Sequence, residues 1–438
     1  MSSPSPRPSY AMVLRESHAR TVFAAALLGR FSYGIVFVAL MVALTRATGS
    51  YAWAGTAIAL FGLSTAFLAP LRAGLIDRYG PRRSLPPMAT AYAALLGCLA
   101  MATWRSGFPQ WGLLTLTLLA GACAPPLGPV MRTIWSELFS GREELRQRAF
   151  SLDTVAEELL YVTGPLAAGL FIAFGNPAAG VAASALLVLS GTWAMVLNPA
   201  MRPRAKRTAP QVPMPGVPDT TADPADPDVP AEPGDTGAPV LSRRLGTGPL
   251  DPILVAGAVG FALGALNLLV VAFVELHDHQ LAAVAWLEAS TSVGSAIGGI
   301  AYGARHWRLS GRIRLPLLAL GLGLALSITG LSTNLYVLAL GVAVIGLFIA
   351  PALATAYLTA DESAPPGART RAGTWVNSAF NGGSSGGTAS IGLLLGGVPL
   401  TLCFALAAIP AFISVSVALV RLRAVDTRGV AARQPRDA

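Results

Sequence analysis

Ionisable side chains inside long apolar stretches are the residues of this chain best placed to do chemistry. Arg30 lies nine residues into an apolar run from Thr21 to about Thr45, and Glu157 and Glu158 lie six and seven residues into another that begins near Ser151. Away from water an ionisable group is costly to hold, so it marks a pathway, a proton relay or an ion pair. At about 1.5 Å rise per residue, all three sit roughly 10–14 Å below the same boundary. If the two segments are neighbours, an Arg30–Glu157 or Arg30–Glu158 pair avoids unpaired charge. The carboxylate then either serves structure alone or binds and releases a proton. Adjacent helical residues point about 100° apart, so at most one of the two glutamates faces Arg30. Asp153, nearer the end of its run, reads as a helix N-terminal cap with Ser151. Glu288, about 9 Å from the opposite boundary and close to Ser290 and Thr291, is a further proton-binding candidate.

A second polar set is uncharged. Asn377, Asn381, Ser384, Ser385 and Thr388 recur at i, i+4, i+7, i+8 and i+11, the spacing of one helical face. Such a stripe faces either a substrate cavity or a partner helix. The overlapping pairs Gly382/Gly386 and Gly383/Gly387 permit close helix contact, as does the pair Gly294/Gly298 with Ser295/Gly299 in an earlier run. Pro165, after Gly164, removes a backbone donor and is expected to kink its helix. Cys98, Cys123 and Cys403 all lie in apolar runs and read as packing residues. His277-Asp278-His279 lacks further ligands nearby, so no metal site is expected. There is no phosphate-binding Gly-x-x-x-x-Gly-Lys loop, and the one lysine, Lys206, lies in a polar segment, which excludes an ATP-driven pump within this chain.

The third set is a turn. Residues 71–84 concentrate Arg72, Arg78, Arg82 and Arg83 around Asp77, with Gly80-Pro81 placed to reverse the chain. Asp77 is suited either to bridging guanidinium groups or to sitting at the positive end of a helix.

These residues need a membrane frame. The 438-residue chain is 53% hydrophobic and only 12% charged, with mean hydropathy +0.59. That is more apolar surface than a soluble core of this size hides. Runs of spanning length lie at about 21–45, 53–73, 85–103, 110–131, 151–174, 177–198, 251–275, 283–304, 314–331, 335–358, 372–395 and 398–421. They form two sets of six, 21–198 and 250–423, flanked by tails 1–20 and 424–438. The first run is too long for a signal peptide and lacks a cleavage site. Between the sets, residues 199–249 hold nine prolines from Pro210 to Pro239 interleaved with Asp and Glu, a composition expected to stay disordered. All but three of the 31 Lys and Arg fall on the tails, the linker and alternate loops; the exceptions are Arg30, Arg46 and Arg105. By the positive-inside rule the termini and linker are cytoplasmic. The net charge of +9 therefore belongs to one face of a bilayer and does not indicate a nucleic-acid partner.

On Leu75, Asp77, Arg78, Gly80, Arg82 and Arg83 the chain resembles the major facilitator superfamily of secondary transporters, whose loop between helices 2 and 3 reads Gly-x-Leu-x-Asp-Arg-x-Gly-x-Arg-Arg; Ala73 stands where the family has its first glycine. Gly164-Pro165, with Ala168 and Gly169, partly matches the Gly-Pro-x-x-Gly-Gly element of the family's proton-coupled exporters. The Arg-Gln-Gly element that such exporters carry in helix 4 is absent, and Arg132 is read at the cytoplasmic end of that helix. The resemblance implies an all-α fold of two pseudo-symmetric six-helix bundles, helices 1 and 5 as neighbours, and a gate at Asp77, Arg78, Gly80, Arg82 and Arg83. It further implies alternating access in a monomer of the plasma membrane, driven by a proton gradient with no cofactor. The expected activity is export of a small, mostly apolar molecule, with metabolite import as the alternative and a non-transporting receptor or scaffold as a lesser one. No enzyme chemistry is expected, because no catalytic constellation is visible.

Overall fold

Apolar runs of this length satisfy their backbone groups only within themselves when no water is present, so each closes into a helix. The computed structural model describes residues 9–104, 107–201, 250–278, 280, 282–365, 367–395 and 397–431. The first half holds α1 (Tyr10–Arg15), α2 (Ala19–Thr48), α3 (Tyr51–Tyr79), α4 (Pro81–Trp104), α5 (Gln110–Cys123), α6 (Leu127–Leu138), α7 (Glu143–Ala173) and α8 (Pro177–Leu197). The second holds α9 (Leu250–Leu276), α10 (Ala282–Ala304), α11 (Gly311–Thr329), α12 (Leu335–Ser363), α13 (Arg369–Leu394) and α14 (Leu400–Ala431). Counting α5 and α6 as one span, ten helices among the described residues are long and apolar enough to cross a membrane. The other two long helices, α10 and α13, are the ones enriched in Ser, Thr, Asn and Gly. They lay small residues against α12 and α9 respectively.

Within each half the main pairings recur: α2 packs on α7 and α8, α3 on α5, and α4 on α8, while α9 packs on α13 and α14, α10 on α12, and α11 on α14. Gly80, at φ +82°, ends α3, and Pro81 opens α4, so the expected reversal is made there. Between the halves, the hydrogen bonds and ion pairs among the described residues all lie toward the end bearing Asp77 and the α10–α11 loop, called here the basic end. They join α1, α3, α6 and α7 to α10, α11, α12, α13 and the α10–α11 loop.

The sequence-based boundaries need correction on the fourth and fifth spans. The fourth is broken: α5 stops at Cys123 and α6 restarts at Leu127, because Pro125 and Pro126 have no N–H to give Gly121 and Ala122. Arg72, read from the sequence as a loop cation, is buried in α3 and supplies what those prolines lack. Its Nη1 donates to Gly121 O and Ala122 O at 2.7 Å each, and its Nη2 donates to Thr65 O at 2.7 Å. The Tyr33 hydroxyl donates to Pro125 O. The fifth span begins eight residues before Ser151, at Glu143, and carries Arg148 as a buried helical residue. Arg314, also read as a loop cation, is buried in α11.

The tail is not featureless: α1 packs on α7, and the Tyr10 hydroxyl donates to Ile300 O at 2.7 Å across the two halves. Of the linker 199–249, only the turn Pro199–Met201 is described; the expectation of disorder for 202–249 falls outside the described residues, as does most of the C-terminal tail's side-chain detail.

Candidate functional site

Asp153 and Glu157 are one helical turn apart on α7 and so share a face. α2 lies against that face and brings Arg30; α6, set in place by the break after Cys123, brings Arg132. Arg30 Nη1 is 2.7 Å from Asp153 Oδ1 and Nη2 is 3.1 Å from Glu157 Oε1. Arg132 Nε is 2.9 Å from Asp153 Oδ2, and its Nη2 pairs with Glu157 Oε2. Each carboxylate thus bridges both guanidinium groups, and two positive charges close a ring with two negative ones. Asp153 is fully buried and Glu157 is 22% exposed. Burying four charges is tolerable only because the ring is neutral; removing one member leaves an unpaired buried charge, at about 3–5 kcal/mol.

Two readings of the sequence are corrected here. Asp153 is no helix cap, since α7 starts ten residues earlier, and Arg132 is not at a helix end exposed to water but 3% exposed in the ring. Of the two glutamates, Glu157 is the one that faces Arg30. Glu158, turned aside, stands next to Ser295 of α10 and has no arginine partner among the described residues.

The second half closes over the ring. Arg132 Cζ lies 3.4 Å from the centre of the Tyr357 ring of α12, a cation–π contact. The Tyr357 hydroxyl donates to Asn377 Oδ1 at 3.3 Å. Tyr161, one turn beyond Glu157 on α7, lies within electrostatic reach of Glu157, Glu158 and Tyr357 and is nevertheless 53% exposed. Tyr357 and Tyr161 have no sequence signal of their own; Asp153 and Glu157 had one in their four-residue spacing.

The polar stripe of α13 divides. Asn377 reaches the ring through Tyr357, and Asn381 and Ser385 are exposed. Thr388 donates to Gly264 O at 2.9 Å and to Ser384 O at 3.1 Å, so it bonds a neighbouring helix, and the Ser384 backbone packs closely on Gly264. A Cβ on Gly383 would stand 2.0 Å from Gly257 O, whereas one on Gly382 would meet open space. The packing pair is therefore Gly383/Gly387. Gly164 meets Gly34 of α2 backbone to backbone, and the helix runs through Pro165 without interruption. Glu288 is exposed on α10 and is not joined to the ring.

At the basic end Asp77 accepts N–H donors from Thr370 at 3.1 Å and Arg371 at 3.0 Å, the first turn of α13. Of its two possible roles it takes the helix N-terminus, where a negative charge is favoured. Arg78, Arg82 and Arg83 are exposed and form no ion pair with it among the described residues. A complementary contact was missed in the sequence because it was read as loop. Arg148 Nη2 donates to Ala304 O at 3.2 Å, and Gln147 Nε2 donates to Tyr302 O and Arg305 O at 3.0 and 3.2 Å. A cation of the first half thus caps the negative end of α10. Both contacts bind the halves through helix ends.

Comparison with known proteins places this architecture. The sequence profile described as Major Facilitator Superfamily matches residues 22–388. Among solved structures, the chain is similar to the human organic anion transporter MFSD10 (TETRAN), at TM-score 0.66 and 15% identity over 94% of this chain and 100% of that one. It is similar also to a bacterial homologue of the iron transporter ferroportin in an outward-facing state, at TM-score 0.67 and 16% identity over 93% and 99%. No curated protein sequence matches the chain. With a profile spanning most of its length and the helical arrangement described above, the chain belongs to the major facilitator superfamily of membrane transporters.

Proposed function

We propose that this transporter is a proton-coupled exporter of a small, mostly apolar molecule, working by alternating access as a monomer in the plasma membrane. The observation that carries the reading is Glu158. It lies beside a closed, neutral ring of charges, next to Ser295 of the other half, and has no cation of its own among the described residues. Neutralising Glu157 breaks two ion pairs, whereas neutralising Glu158 breaks none, so Glu158 is the carboxylate that exchanges a proton at least cost. In this reading the basic end faces the cytoplasm, following the positive-inside rule, and the conformation is closed there. The proton gradient supplies the energy, with no cofactor.

In this reading Tyr161, Asn377, Asn381 and Ser385 line the substrate path beyond Glu158, an aromatic face with a few amides and hydroxyls. Such a lining suits an apolar molecule with a few polar atoms and gives a strongly ionic one few counter-charges. The test is transport by the purified protein in liposomes under pH gradients of either sign, with a panel of non-ionisable apolar and sugar-like compounds. Accumulation on the acidic side, absent from protein-free vesicles, is the expected antiport. Accumulation on the alkaline side supports import instead, and none with either gradient contradicts proton coupling.

A further inference from the structure

Between α7 of the first half and the α10–α11 connection of the second, the basic end contains a cavity of about 470 Å³. Five arginines line it, Arg146, Arg148, Arg305, Arg308 and Arg314, against three glutamates, Glu143, Glu144 and Glu362. Glu362 pairs with Arg146 at 2.6 Å, and Glu144 with His306 at 2.6 Å and Arg148 at 3.5 Å. Arg305 and Arg308 are exposed and have no carboxylate partner among the described residues. Arg314, only 8% exposed, hydrogen-bonds to neutral groups, with Glu362 within electrostatic reach: its Nη1 donates to Gln147 Oε1 at 2.9 Å and to Tyr302 OH at 2.8 Å, and its Nε has no hydrogen-bond partner among the described residues. Arg314 also stands in the first turn of α11, whose N-cap residue Ser310 makes no side-chain cap.

The cavity therefore holds an excess of two positive charges, two exposed guanidinium groups without a carboxylate partner among the described residues, the buried Arg314 guanidinium in its wall and an uncapped helix N-terminus, all on one hollow of ligand size. Trp307, with Arg305 Cζ 5.3 Å from its ring centre, fixes one wall. We infer that this cavity is a binding site for a phosphate group. Guanidinium forks match phosphate oxygens in geometry and charge, and basic pockets between membrane helices are suited to anionic lipid headgroups. A soluble phosphate presents the same chemistry. Because the wall is divided between the halves, a bound phosphate holds the basic end shut, and it leaves when α7 parts from α10 and α11. This inference stands apart from the coupling role of Glu158.

The test titrates the purified full chain in neutral detergent with water-soluble dihexanoyl phosphatidylglycerol, dihexanoyl phosphatidylcholine and inorganic phosphate, reading binding by calorimetry. The wild type, Arg305→Gln/Arg308→Gln and Arg15→Gln/Arg20→Gln are compared, the last carrying the same charge loss on exposed residues outside the cavity. The expected result is saturable binding of the glycerol lipid that weakens about tenfold or more in the Arg305/Arg308 pair and little in the control pair. Arg314→Gln should abolish it, and the two exposed substitutions keep the test decisive if that variant fails to fold. Inorganic phosphate binding with the same variant dependence, and no lipid preference, assigns the site to a soluble phosphate. Equal weakening in both pairs, indifference to Arg305 and Arg308, or binding of phosphatidylcholine equal to that of phosphatidylglycerol overturns the inference.

Discussion

Arg72 Nη1 donates at 2.7 Å to the carbonyl of Ala122, the group that Pro126 leaves without a helical donor. One buried side chain thereby repairs the break that positions Arg132. In Arg72→Met the Ala122 carbonyl loses its donor, at about 1–3 kcal/mol, while Gly121 O keeps the Thr65 hydroxyl at 3.1 Å. The variant should unfold at lower temperature in detergent, and Arg72→Lys, with one point donor instead of a fork, should recover only part of the loss. Wild-type stability of the Met variant would show that water serves the break equally well.

The charge ring predicts strong non-additivity. Arg30→Gln and Asp153→Asn each leave one uncompensated buried charge and should each destabilise the protein by about 3–5 kcal/mol, while the double variant, neutral again, should lose less than the sum of the two. Chemical unfolding of all four proteins measures this. Additive losses would mean that the four groups do not act as one unit.

Asp77 binds the start of α13 across the two halves, so parting of the halves at the basic end must break this contact. A charge at a helix N-terminus contributes about 0.5–2 kcal/mol, so Asp77→Asn should shift the balance toward opening by roughly 2- to 30-fold. The variant should insert normally, and labels across the basic end should report a larger open population. An unchanged distance distribution would reduce the turn to a topology anchor.

The two glycine pairs of α13 make opposite predictions one residue apart. Gly382→Ala should be tolerated, because a Cβ there meets nothing within 4 Å, but Gly383→Ala drives a methyl to 2.0 Å from Gly257 O and should lower the yield of folded protein severalfold. Size-exclusion profiles after detergent extraction distinguish them. Equal yields would show that α9 and α13 separate at little cost.

Much of this was legible beforehand, and the failures have one origin. Hydropathy gave the spans, and the Asp77 turn gave the family, because both are local in sequence. Glu157 and Arg30 were recognisable as charges within apolar runs. Arg72, Arg132 and Asp153 each lie within about two residues of an end of an apolar run, where a charge is ordinarily solvated and reads as loop or cap, whereas buried pairing lets the helix carry it inward. Tyr357 and Tyr161 escaped altogether, since an aromatic in a membrane helix has the same composition whether it faces lipid or a guanidinium. The division of the α13 stripe, with Asn377 toward the ring and Thr388 toward α9, depends on which helix lies alongside and is not encoded in spacing.

The most direct test of the account is proton coupling at Glu158. In liposomes, Glu158→Gln should abolish accumulation of substrate driven by a pH difference, by about tenfold or more, while leaving exchange of labelled for unlabelled substrate without a gradient. Glu157→Gln should instead depress both together, because it disrupts the ring that Arg30 and Arg132 need. If Glu158→Gln still concentrates substrate against its gradient under a pH difference, the coupling carboxylate lies elsewhere and the account of this site is wrong.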